Sequence, residues 1–376
     1  MATTQKQFNV GIVGYGLSAK VFHIPFVNLT PSLKLHSIVQ RSPSGGPDSA
    51  PATYPALKHH TTIEPLLADA EVDIVILCTP PQTHFHLASD ALRAGKHVLV
   101  EKPFVPSSDE AVTLAKLARE KGLILGVYQN RRFDSDFLTV KELLEGDKLG
   151  RIVEFETHFD RLRLEKPSTW KGTLGMDQGG GVLFDLGSHL LDQVYVLFGK
   201  PSFVKGWFVN QREGRFVSGQ GGQEEEPDSV TVMLTYQERG LLVFVRIGVA
   251  SVEKTQPRFW VRGTKGSYVK TGLDPQEDQL RGGTVKADDE DEFGWESEDK
   301  YGKVCLVGDD GKIDEMVWPT LGPPLTYKKF YELFAKAVET GREEDIPVSG
   351  WDAAEVLKII EAVRESVKMG RDVVPK

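Results

Sequence analysis

Short apolar runs separated by helix-compatible stretches fill the first third of the chain. Phe8 to Val13 is such a run and ends in Gly14-Tyr15-Gly16, which reads as a buried strand feeding a glycine turn. Ser18 to Leu29 continues as a helix that Pro25 must bend or interrupt. Leu33 to Val39 alternates as a second strand, and Ser42 to Pro55, rich in Pro, Ser and Gly, is a loop. Thr62 to Asp69 reads as a helix with Glu64 and Pro65 in its first turn. Strands then follow at Val72–Cys78, Val98–Val100 and Leu123–Val127. They are separated by helices at Thr83–Arg93, closed by Gly95, and at Ser108–Lys121. Strands alternating with helices imply a parallel sheet covered on both faces. A helix at Asp136–Leu144 comes next.

Beyond Gly150 the rhythm changes. Ile152–Phe159, Ser202–Val209, Ser229–Tyr236, Leu241–Val249 and Arg258–Gly263 read as strands, with one helix, Gly181–Leu197, between them. So few helices predict a mostly antiparallel sheet. Gly214–Asp228 and the acidic Asp288–Lys300 read as solvated surface insertions, and helices at Tyr327–Thr340 and Asp352–Lys368 close the chain. The expectation is an α/β chain: a doubly wound Rossmann domain over residues 1–127, then an α+β domain with a large open-faced sheet over 128–376. The closing helices are free to pack back on the first domain.

Composition narrows the class. A chain of 376 residues predicts two domains. A formal charge of −9 and no basic cluster argue against nucleic acid. No apolar run is long enough for a membrane span. The polar start, Met1 to Gln7, is no signal peptide, so the cytoplasm is the expected compartment. Two distant cysteines, Cys78 and Cys305, suggest neither a disulfide framework nor a metal site.

The glycine turn carries the first chemistry. Gly14-Tyr15-Gly16-Leu17-Ser18-Ala19 fits G-x-G-x-x-G/A between a strand and a helix. Gly14 permits the tight turn, Gly16 a close approach to a pyrophosphate, and Ala19 close helix–strand packing. Leu17 and Ser18 open the helix whose N–H groups favour an anion. An NAD site commonly has a carboxylate after the second strand; here stand Gln40-Arg41-Ser42. Arg41 and Ser42 suit a 2′-phosphate, which favours NADP(H). The alternative is that Arg41 points to water and NAD(H) binds as well.

Two segments follow sheet strands at the carboxyl edge, where open α/β sheets bind ligands. One holds Thr79, Pro80 and His84, the other Glu101-Lys102-Pro103; further on stands Gly179-Gly180-Gly181-Val182-Leu183-Phe184-Asp185-Leu186-Gly187-Ser188-His189. With these motifs in this order, the chain resembles the Gfo/Idh/MocA oxidoreductase family over nearly its whole length. The resemblance implies a Rossmann domain and a mostly antiparallel second domain, with substrate against the open sheet face beside the nicotinamide. It implies catalytic roles for Lys102, Asp185 and His189, and a cis peptide before Pro103. Spacing agrees: Asp185 and His189 are four apart and share a helix face. An imidazole there can move a hydroxyl proton near neutral pH, and Lys102 can stabilise charge on the reacting oxygen. Spacing leaves open which of Lys102 and His189 carries the proton.

For substrate contacts the polar clusters single out Asn130, Arg132, Asp160 and Trp170; interdomain salt bridges would use the same residue types. Alternation puts His158, Asp160 and Leu162 on one face, and Phe159, Arg161 and Arg163 on the other. Asn130–Leu138, His158–Arg163 and Gly266–Glu277 resemble the family branch of NADP-linked scyllo-inositol dehydrogenases. The implied substrate is a small polyhydroxylated ring, with an aldose as runner-up and a non-catalytic dinucleotide-binding regulator as a rival class. Alternating Val230, Val232 and Leu234 would allow the homo-oligomer through the C-terminal sheet that the family suggests, or would equally serve an internal helix layer.

Overall fold

The computed structural model describes residues 6–220 and 225–376, the side chain of Trp170 excepted. It resolves into two compact units. The first comprises Met1–Asn130, Glu277–Phe293 and Thr326–Ala354, the second Arg131–Gln276, Gly294–Leu325 and Glu355–Lys376.

In the first unit six strands form a sheet: β1 (Phe8–Val13), β2 (Leu33–Val39), β3 (Lys58–His60), β4 (Ile74–Leu77), β5 (His97–Val100) and β6 (Leu125–Val127). Their order is β3-β2-β1-β4-β5-β6, with every pairing parallel. This is the doubly wound Rossmann order, whose ligand crevice opens at the carboxyl ends of β1 and β4. Apart from the half-buried Asn9, the central strands β1 and β4 are buried, which explains their apolar runs. Edge strand β3 is Lys-His-His, with no apolar pattern to betray it. The helix Thr326–Thr340 packs Phe334 against Gly126 of β6, where a Cβ would meet the ring at 2.9 Å.

The expected helix after β1 is split. Ala19–His23 is a π turn in which Ile24 N–H donates to Ala19 O, and an α-helix runs from Ile24 to Leu29 with Pro25 in its first turn. Widening the register just before Pro25 leaves the proline where a missing N–H costs nothing.

In the second unit β7 (Ile152–Asp160), β8 (Phe203–Asn210), β9 (Arg215–Phe216), β10 (Ser229–Tyr236), β11 (Leu241–Gly248), β12 (Pro257–Gly263), β13 (Gly266–Thr271), β14 (Gly302–Val307) and β15 (Ile313–Trp318) make a nine-stranded sheet. The order is β15-β14-β13-β12-β7-β11-β10-β8-β9, antiparallel except for β7 beside β11. Val230, Val232 and Leu234 are fully buried opposite Ile247, Val245 and Val243. They therefore serve the internal layer, not the outer face. The helix Ser188–Phe198 covers that layer, with the Phe198 ring 5.2 Å from Phe155 and 5.8 Å from Tyr236. The opposite face exposes Trp207, Leu242, Trp260, Val269 and Val317.

Strands β13 to β15 were not expected. β15 is exposed almost throughout, so burial imposes no alternation on it. The acidic stretch 288–300 is more than a solvated insertion. Phe293 is buried against Phe26 in the first unit, and in the second Glu296 bonds the buried ammonium of Lys270 at 2.8 Å. Stretch 214–228 contributes β9 and the Arg212–Asp228 pair; its residues 221–224 lie outside the described residues.

Candidate functional site

The glycine turn sits where β1 ends beside β2 and β4. Gly14 has φ +96°, and a Cβ there would lie 2.8 Å from Cys78 O. The tight turn thus requires glycine. At Gly16 a Cβ would meet nothing within 4 Å, so the backbone stands open to a close-approaching diphosphate. Ala19 is fully buried, as close helix–strand packing demands. Gly14 N–H donates to Val39 O at 3.0 Å, which brings the end of β2 alongside. Arg41 and Ser42, just beyond, are exposed. Asp48, the next carboxylate in the chain, is held by Lys20 at 2.8 Å. These residues fit a dinucleotide, and the end of β2 offers a cation rather than a carboxylate.

Lys102 follows β5 and opens with a cis peptide to Pro103. The preceding Glu101 is buried, and one of its carboxylate oxygens, Oε2, accepts Lys102 N–H at 2.8 Å. The other, Oε1, accepts from Ser18 Oγ and meets His23 Nε2 at 3.1 Å. Burial works to raise the Glu101 pKa, but the bond and charge of His23, the Lys102 charge and the Ser18 bond outweigh it and hold the group at about 2. His23 Nδ1 lies 2.5 Å from Tyr331 Oη. Glu101 and Ser18 are thus bonded to each other inside the protein.

His84 is likewise committed. It is almost fully buried; Nε2 faces Thr79 O at 2.7 Å, and Nδ1 faces Phe104 O at 2.8 Å and Pro103 O at 3.1 Å. Burial lowers its pKa against carbonyl bonds that raise it. With both nitrogens facing carbonyls, His84 ties the loop after β4 to the loop after β5. Thr79 accepts from Thr83 Oγ1 at 2.7 Å, and Pro80 is half-buried beside it.

In the second unit the three glycines precede a second π turn, Leu183–Gly187, which runs into the helix Ser188–Phe198. A Cβ on Gly180 would lie 2.2 Å from Leu174 O, so the chain passes too close there for any other residue. Asp185 lies within the π turn and His189 in the first helical turn, where it is buried. The Asp185 carboxylate accepts from Lys171 Nζ at 2.8 Å. Asp185 also lines a cavity of about 260 Å³ whose wall includes Arg161, Arg163, Lys171, Val182 and Arg212. Arg212 is fixed there by Asp228 at 2.9 Å and by the carbonyls of Arg163 and Leu164 at 2.7 Å.

The other expected contacts fall differently. Arg132 grips both oxygens of Asp192 at 2.8 and 2.7 Å, one helical turn beyond His189. Its fork is spent on a buried carboxylate. Asn130 is buried at the start of a 3-10 turn. Asp160 bonds His158 Nδ1 at 2.9 Å on the outer sheet face, beside Glu156 and Arg246. The turn bearing Asp185 lies on the other face, where Gly187 packs on Ile247, the partner of Phe159. Alternation along β7 was read correctly; Arg161, beyond Phe159, shares the cavity with Asp185, and Asp160 does not line it. The side chain of Trp170 lies outside the described residues.

His23, Tyr331, Lys171 and Arg161 escaped the sequence reading. Lys171, adjacent to Trp170, carried a local cue; Tyr331, 230 residues from Glu101, carried none.

Comparison with known proteins matches this arrangement over both parts. Residues 8–129 match the model of an oxidoreductase family with an NAD-binding Rossmann fold, and residues 141–375 match that family's C-terminal alpha/beta domain. An uncharacterized oxidoreductase of Schizosaccharomyces pombe is 37% identical, covering 94% of this chain and 95% of the relative. The scyllo-inositol 2-dehydrogenase (NADP+) IolW of Bacillus subtilis is 33% identical over 97% and 95% of the two chains. Among solved structures, the Bacillus subtilis protein yvaA, described as an oxidoreductase, superposes with a TM-score of 0.88 at 30% identity, covering 100% of both chains.

Proposed function

The chain belongs to the Gfo/Idh/MocA oxidoreductase family, and from that premise we propose that it is an NADP(H)-dependent dehydrogenase acting on a cyclic polyol or sugar of the scyllo-inositol/inosose type. The observation that carries this reading is the cavity of about 260 Å³ with Asp185 and several cationic side chains in its wall. Its size suits one compact ring, and its carboxylate and cationic groups suit hydroxyls. The exposed Arg41 and Ser42, with no carboxylate at the end of β2, support NADP(H). The named activity of the relative IolW points the same way.

Gly14, Gly16, Leu17, Ser18 and Ala19 would hold the diphosphate, and Arg41 with Ser42 the 2′-phosphate. The nicotinamide supplies a hydride acceptor or donor when bound. Oxidising an alcohol also requires loss of its hydroxyl proton. His189 or Lys102 takes that proton, and Lys102 stabilises the developing charge on oxygen. Asp185, oriented by Lys171, holds a neighbouring hydroxyl. In this reading residues 1–127 form the dinucleotide domain and 128–376 the substrate and oligomerisation domain, although the helix Thr326–Thr340 falls in the first compact unit.

The test is turnover followed at 340 nm with NADP+ and NAD+ separately, against inositols and aldoses. Turnover with NADP+ and scyllo-inositol is expected. Turnover with an aldose alone would move the substrate class, and dinucleotide binding without any turnover would favour a regulator.

The same reading includes a homo-oligomer through the outer sheet face. Trp260 and Val269 are cross-strand neighbours there, about two-fifths exposed, and side-by-side apolar groups on an open sheet favour burial. Trp260→Glu should lower the mass measured by light scattering; an unchanged mass would place the contact elsewhere.

A further inference from the structure

Resting on that functional reading, we propose that His23 and Tyr331 are positioning residues for Lys102. They act through a directed line of hydrogen bonds that ends on the Glu101 carboxylate.

The direction follows from donor and acceptor capacity. Glu101 already accepts from Ser18 Oγ on one oxygen and from Lys102 N–H on the other, so it is an acceptor towards His23 as well. His23 Nε2, 3.1 Å from its Oε1, must therefore carry the hydrogen. In a neutral imidazole Nδ1 is then an acceptor, and Tyr331 Oη, 2.5 Å away, donates to it. Burial pushes the Tyr331 phenol well above its ordinary range, which keeps that hydrogen in place. Among the described residues the Tyr331 hydroxyl has no other hydrogen-bond partner. A doubly protonated His23 would leave its hydrogen unsatisfied in a fully buried position. Tyr128, its ring 4.5 Å from that of His23, walls the other side.

The line has a use beyond filling the core. Glu101 Oε1, the oxygen met by His23, also accepts from Ser18 of the glycine-turn segment, while Oε2 accepts the backbone N–H of Lys102. One carboxylate thus sets the end of the dinucleotide turn and the start of the Lys102 loop together. The π turn that delivers His23 to it is the irregularity just before Pro25. Weakening the line frees the carboxylate to rotate, and Lys102 loses a defined starting direction, while the Gly14 and Gly16 backbone that would cradle the diphosphate makes no bond to it.

Tyr331→Phe removes one oxygen and little else. It should lower kcat about 3–10-fold, the worth of one hydrogen bond, with NADPH affinity and polyol KM within about 2-fold. His23→Gln, which keeps a terminal N–H for Glu101, should retain more turnover than His23→Leu. Unchanged kcat in Tyr331→Phe, or equal losses in the two His23 variants, would overturn the proposal. A measurement independent of turnover, and of whether the His23 variants fold, is the ring nitrogen NMR spectrum of the wild-type protein. His23 should carry its hydrogen on Nε2; hydrogen found on Nδ1 would overturn the line. Absence of any polyol turnover in the wild type would sink the functional reading, while the NMR spectrum would still decide the bond direction.

Discussion

Arg132→Ala separates two roles for one side chain. The guanidinium grips both oxygens of Asp192, at 2.8 and 2.7 Å. The two side chains are 14% and 2% exposed. Removing the cation leaves a carboxylate in the interior without its fork, and breaking such a pair from one side costs about 3–5 kcal/mol. Arg132 keeps some solvent contact, so the lower end, about 3 kcal/mol, is expected. The assay is urea denaturation, in which the midpoint should fall with little change in slope. Arg132→Met with Asp192→Leu should recover most of the loss, because an apolar pair of similar volume replaces the buried ions at little net cost. Turnover should follow stability, since Asp192 is one turn from His189 on the same helix. If Arg132→Ala left the midpoint unmoved and raised KM for the polyol, Arg132 would be a substrate contact and this reasoning would fail.

Three further outcomes follow from the site. Lys102→Ala and His189→Ala should each lower kcat by about 10²–10⁴-fold with NADPH binding retained; near wild-type turnover in both would remove their catalytic assignment. Arg41→Ala should weaken NADPH about 10-fold and NADH less than about 2-fold, read by fluorescence titration, the difference being one charge-assisted contact to the 2′-phosphate; equal losses would remove the case for phosphate recognition. Glu101 titrates at about 2 in the fold against an ordinary 4.5, so its stabilisation is complete above pH 4.5 and is lost as pH falls from there towards 2. Glu101→Gln should flatten the acid limb of the stability curve in that window, and an unaltered limb would contradict the depressed pKa.

Much of the chemistry was legible because it is local. Gly14 must turn within the span of a few residues, and Gly180 must pass a carbonyl six residues back. The polar cluster at Asp160 lies away from the cavity that Asp185 lines for an equally local reason. Alternation assigns residues to two faces but does not say which face a helix will cover, and here the helix covers the side of Phe159 and Arg161.

By itself, the sequence determined the parallel first sheet and the glycine turn with Arg41 at the end of β2. Burial on both faces and backbone sterics leave those segments few alternatives. Only tertiary structure decided that Arg132 belongs to Asp192, that His84 joins two loops, that the acidic stretch near residue 296 neutralises Lys270, and that Tyr331 reaches His23. Each of these pairs a buried polar group with a partner from another part of the chain. A buried polar group must be satisfied wherever the fold brings a partner, and no local pattern records which distant residue that will be.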